Sequence, residues 1–105
     1  MNRQPDMRQL MKQAQKMQEE LMAAQAELSD KTFEGSAGGG VVTAMVRGSN
    51  ELVSVEISPE VIDPDDPELL GDLVVAAVNA AMGEAARVAE ESMGGLAGGL
   101  GGLLG

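Results

Sequence analysis

The chain has 105 residues and a formal net charge of -10, with no cysteine, no histidine, no tryptophan and one aromatic residue, Phe33. That length fits one domain. The missing cysteines exclude disulfides and thiolate chemistry and suit a reducing compartment. With no imidazole to activate a serine, an enzyme is not expected. The opening Met-Asn-Arg-Gln-Pro-Asp has no apolar run of the kind a secretory signal needs. The composition also predicts no stretch matching the ~20 apolar residues of a membrane span. The expectation is a cytoplasmic protein without a membrane partner. A core built from Ala, Val, Leu and Met lacks the large burial of aromatic rings, and small domains with thin cores gain burial by associating.

Positive charge is concentrated at one end. Residues 1–31 hold five basic and five acidic side chains, and residues 32–105 hold two basic and twelve acidic. Arg3, Arg8, Lys12 and Lys16 all fall in the first sixteen positions. Residues 6–29 read as a helix, uninterrupted by Gly or Pro and capped by Asp6. Met7, Leu10, Ala14, Met17, Leu21, Ala24 and Leu28 follow an a/d heptad, which predicts packing against a partner helix as in a coiled coil. Met11 and Met22 widen that seam. Arg8, Lys12 and Lys16, spaced i, i+4, i+8, form a basic stripe off the seam and facing solvent. Lys16 is in reach of Glu19 and Glu20 for ion pairs along the helix.

Next in the chain, Lys31–Glu34 is a short strand candidate, and Gly35–Gly40 reads as a flexible connection. Val41–Arg47 and Glu51–Ile57 are rich in β-branched residues and read as strands. Gly48-Ser49-Asn50 between them is a hairpin signal. Val53, Val55 and Ile57 share one face. A small antiparallel sheet of two or three strands follows.

Ser58–Glu68 is a Pro- and Asp-rich connector. Asp66, Pro67 and Glu68 form a strong helix start, and the second helix runs from about Pro67 to Met93. Its middle, Leu73–Met82, is apolar on nearly every face, more than one small sheet can cover, which points to a homodimer sharing these segments. Residues 94–105, GGLAGGLGGLLG, hold half of the fourteen glycines. They read as a mobile Gly/Leu tail behind a single domain over residues 1–93.

Two patterns imitate sites. The glycine run at 35–40 lacks the Gly-Lys-Ser/Thr ending of a phosphate loop and precedes no helix. The acids Asp63, Asp65, Asp66 and Glu68 break the calcium-loop pattern at Pro67 and Glu68. No metal, cofactor or small-molecule substrate is expected.

LMKQAQKMQEEL (Leu10–Leu21), FEGSAGGGVVTAMVRG (Phe33–Gly48) and VEISPEVIDPDDPELLGDLVVAAVNAA (Val55–Ala81) together resemble the YbaB/EbfC family of bacterial nucleoid-associated proteins. The likeness covers roughly residues 6–97. It implies an α+β subunit of order α-β-β-β-α and a homodimer shaped like tweezers, with helical arms. It also implies binding to double-stranded DNA with weak sequence preference, changes in DNA conformation, and roles in nucleoid organisation and gene regulation beside recombination or replication proteins. For DNA contact it points to the arms. On this chain those positions are Arg8, Lys12 and Lys16, with Arg3 preceding them and Arg87 on the second helix. The rival reading is a helical scaffold whose Met-rich seam (Met7, Met11, Met17, Met22) grips protein partners.

Overall fold

A computed structural model describes the backbone of residues 6–104 and the side chains of residues 6–92. The elements are α1 (Met7–Asp30), β1 (Thr32–Ala37), β2 (Val42–Arg47), β3 (Leu52–Ile57), a 3-10 turn (Pro59–Val61) and α2 (Pro67–Leu104). This is the expected α+β order. Asp6 caps α1, its Oδ1 accepting from the Arg8 backbone N–H at 3.0 Å. Asp66 does the same for α2, accepting from the Leu69 N–H at 3.3 Å.

The strands form one antiparallel sheet in the order β1-β2-β3. Thr32 pairs with Arg47 and Ala37 with Val42, while Val42 pairs with Ile57 on the other side. A register shift at Met45/Val46 bulges the second pairing. Gly48–Asn50 makes the hairpin turn, with Asn50 at φ 69.

β1 is longer than expected and takes in Gly35, Ser36 and Ala37. The reason is packing. A Cβ on Gly35 would stand 2.2 Å from the Ala81 backbone nitrogen and 2.5 Å from the Ala77 carbonyl oxygen. Helix α2 therefore lies directly on β1, and glycine is the residue that permits it. The loop itself is Gly38, Gly39 and Gly40, all at positive φ.

Phe33, Val42, Ala44 and Val46 of the sheet and Ala77, Ala81 and Ala85 of α2 form the core. The three alanines, four apart, make a flat face that brings the helix close. Leu73, Val74, Val78 and Met82 pack at its margins. The opposite side of α2 stays open, with Val75 60% exposed.

Two expectations need correction. The backbone stays helical past Met93 to Leu104. Leu96, Leu100, Leu103 and Leu104 recur at helical spacing, and no proline intervenes. The stretch Pro67–Ser92 is also long and apolar enough, by length and composition, to cross a membrane. Much of its apolar character is alanine, one face is used against the sheet, and it carries Glu68, Asp72, Glu84, Arg87, Glu90 and Glu91. The uncharged run between Asp72 and Glu84 is only 11 residues, about half of the ~20 that a membrane span needs, so a spanning placement would draw charge into the hydrocarbon.

The molecule measures 83 × 24 × 15 Å, with a radius of gyration of 21.5 Å. A compact chain of this length has about 13 Å, so the two helices extend well beyond the sheet.

Candidate nucleic-acid interface

Helix α1 has no buried residue. It is fixed to the body at its C-terminal end. The Gly48 N–H donates to the Lys31 carbonyl at 2.9 Å, and the Ser49 N–H to the Ser29 carbonyl at 3.3 Å. A Cβ at Gly48 would meet the Leu28 carbonyl oxygen at 2.0 Å, so the hairpin turn also needs glycine where it presses on the helix end. The N-terminal half of α1 is thus the distal half of an arm.

Arg8, Lys12 and Lys16 lie on that distal half, all exposed. At ~1.5 Å rise per residue they span about 12 Å. One strand of B-DNA carries a phosphate about every 3.4 Å of helix axis, so the stripe matches three to four phosphates in length. Among the described residues none of the three has an ion-pair partner. The expected Lys16 pairs with Glu19 or Glu20 are not formed. Arg3 lies outside the described residues.

The body's arginines are different. Arg47 Nε stands 3.5 Å from Glu51 Oε2. Arg87 is held by Glu84 on one side and by Glu91 at 2.7 Å on the other. The hydrogen bond from Arg87 keeps the Glu84 carboxyl below its ordinary pKa, and the same bond raises the already high pKa of Arg87. A phosphate reaching Arg87 would compete with two carboxylates. Lys31 sits 5.9 Å from the centroid of the Phe33 ring, close enough for a cation–π contact.

Charge along α1 also opposes the helix macrodipole. There is no acid in the first turn and no base in the last. A helix arranged for its own stability places these the other way round. The dipole's positive end is itself met by the Asp6 carboxylate that caps the helix, so the exposed basic side chains are what favour an anion along the arm's outer half.

The apolar seam is unsatisfied in a single chain. Met7 is 68% exposed, Met17 58% and Leu10 46%. Where the seam nears α2, half-buried Leu28 approaches half-buried Val88 and Ala89 but the two helices do not close on each other. Leu21, Ala24 and Leu28 face Val88, Ala89 and Ser92 across a gap of about 500 Å³. Sequence reading found the seam but not this gap, because the relative placement of two helices far apart in the chain has no local signal.

These features define a class: an elongated α+β protein with exposed cations that have no ion-pair partner among the described residues on a long arm, and an acidic body whose arginines are paired internally. Residues 2–100 match the YbaB/EbfC DNA-binding family, and the chain belongs to that family. A Saccharopolyspora erythraea protein named as a nucleoid-associated protein is 57% identical over 99 residues, covering 94% of this chain and 85% of its own length. A Streptomyces griseus protein of the same name is 54% identical over 99 residues, covering 94% and 87%. The crystal structure of an uncharacterized Helicobacter pylori protein shares the fold, with TM-score 0.64 and 24% identity, covering 92% of this chain and 98% of that one.

Proposed function

We propose that two copies of this chain pair through their apolar helical surfaces into a tweezers-like homodimer that binds duplex DNA by its phosphates. Contact is made by Arg8, Lys12 and Lys16 of each arm, with Arg3 ahead of them. The dimer acts as a nucleoid-associated protein in the cytoplasm, altering DNA conformation, organising the nucleoid and influencing gene expression. Recombination or replication proteins are the expected neighbours, on the strength of the resemblance.

The observation that carries this reading is the basic stripe itself: exposed, at phosphate spacing, and without ion-pair partners among the described residues while both body arginines are paired. Contacts of this kind position a protein on DNA and read little sequence. Arg87 contributes little, because Glu84 and Glu91 already hold it. Dimerisation is supported by the exposed seam, since each Leu or Met fully buried would add about 1.5–3 kcal/mol that one chain leaves unrealised.

Gel retardation of duplex DNA across a salt series tests the reading. With about four to six phosphates neutralised per dimer, affinity falls about 10²- to 10³-fold between 50 and 200 mM salt. Replacing Arg8, Lys12 and Lys16 together by Ala flattens that slope and weakens binding while the dimer mass stays the same. Unchanged binding by the triple variant overturns the mechanism.

The second reading is a protein-gripping scaffold with incidental DNA affinity. It draws on Met7, Met11 and Met22, each more than 60% exposed on one helix, because methionine surfaces adapt to varied partners. Its signature is DNA binding that vanishes near physiological salt in the natural chain.

A further inference from the structure

The basic stripe does not run the length of α1, and the residues that stop it are on the same face. At ~100° per residue, Arg8, Lys12 and Lys16 occupy an arc of about 80°. Glu19 projects into the middle of that arc, one turn further along, and Glu20 lies about 40° beyond Lys16. Both are exposed. Both are within reach of Lys16 for a pair along the helix, yet neither has an ion-pair partner among the described residues. Two carboxylates thus stand beside the single charge of Lys16 where the stripe ends, and no close ion pair ties them up.

Distance decides which acids matter. Glu19 and Glu20 are only about 4.5 and 6 Å along the axis from Lys16, inside the Debye length of about 8 Å at physiological salt. Glu27 and Asp30 return to the same face but sit about 16 and 21 Å from Lys16, where screening removes most of their effect. On α2, Glu84 and Glu91 are answered by Arg87.

We infer that Glu19 and Glu20 form an acidic stop that confines duplex DNA to the outer half of the arm, around Arg8–Lys16, and keeps it from sliding inward along α1. The inference rests on the DNA-binding reading above. It assigns these two carboxylates as positioning residues that limit affinity at the inner end of the stripe.

The test compares three forms of the full-length protein on one duplex in 0.1 M salt: the natural chain, Glu19→Gln with Glu20→Gln, and Asp30→Asn. The glutamines keep side-chain length and helix propensity, so far-UV circular dichroism and oligomeric mass are expected to stay the same. The double variant is expected to bind about three- to tenfold tighter, with an unchanged salt slope, because repulsion is lost but no new phosphate contact is made. Asp30→Asn is expected to match the natural chain. Equal affinity of the double variant and the natural chain overturns the inference while leaving the DNA reading intact. So does a gain from Asp30→Asn of about half the double variant's on the logarithmic scale, which would mean that only net charge matters, because the double variant removes two charges and Asp30→Asn removes one. Failure of the natural chain to bind at all removes the DNA reading and this inference together.

Discussion

Helices α1 and α2 are both long and apolar in part, yet they relate to the sheet in opposite ways. α2 gives Ala77, Ala81 and Ala85 to the core and lies against Gly35 of β1, while α1 buries nothing and is held by its last turn. Their cations differ too. Arg87 on α2 is clasped by two carboxylates, and Arg8, Lys12 and Lys16 on α1 have no such partner among the described residues. An element whose side chains are satisfied within its own subunit serves the fold. One with unsatisfied seam and unsatisfied charge has surface left over for another molecule.

The sharpest way to break that contrast is at Gly35. Substitution by Val forces side-chain atoms into the α2 backbone and should cost at least 1–3 kcal/mol, as overpacking does, because Ala81 and Ala77 backbone atoms cannot yield as a flexible side chain would. The urea midpoint should fall by a large fraction, and α1 should be irrelevant to the loss. A midpoint within error of the natural chain would mean that α2 does not sit on β1 in solution.

The arm answers to a different substitution. Leu10→Glu with Leu21→Glu changes positions 46% and 41% exposed in one chain, so a monomeric fold would barely notice. If the seam is shared, the light-scattering mass should drop from two chains to one at micromolar concentration. An unchanged mass would sharpen the comparison by moving the shared surface to the open side of α2.

The smallest effect is at the paired arginine. Glu84 is held below its ordinary value near 4.5 by the hydrogen bond from Arg87. A carboxylate with a depressed folded-state pKa contributes stability above its unfolded value and loses it as pH falls through the folded one. Glu84→Gln should therefore lower the thermal midpoint slightly at pH 7 and by progressively less below about pH 4.5. The pair is exposed, so the shift should be near the limit of detection. A Glu84→Gln deficit that grows on acidification would contradict the assignment.

Much of this architecture was legible in the chain. Asp6 and Asp66 mark their helix starts by residue type alone, and the β-branched runs around Gly48-Ser49-Asn50 mark β2 and β3 within one residue. The heptad gave the seam, and the spacing of Arg8, Lys12 and Lys16 gave the stripe. Gly35 reads as loop in the sequence because a glycine that admits a helix looks there like a glycine that makes a turn. The end of α2 was misplaced because glycine weakens a helix without supplying a stop. In the sequence the spacing of Glu19 makes it a partner for Lys16, and its placement on the stripe without a close ion pair is a matter of side-chain geometry.

The amino-acid sequence by itself determined the element order, the capping of both long helices and the separation of a basic arm from an acidic body. These depend on short-range rules: helical and strand periodicity, turn chemistry and charge count. Tertiary structure alone decided that α2 rests on β1 through Gly35, that α1 stands away with its seam uncovered, and that the body's arginines are occupied. Those outcomes depend on which distant surfaces meet and on how closely two backbones can approach, and neither is set by any one stretch of chain.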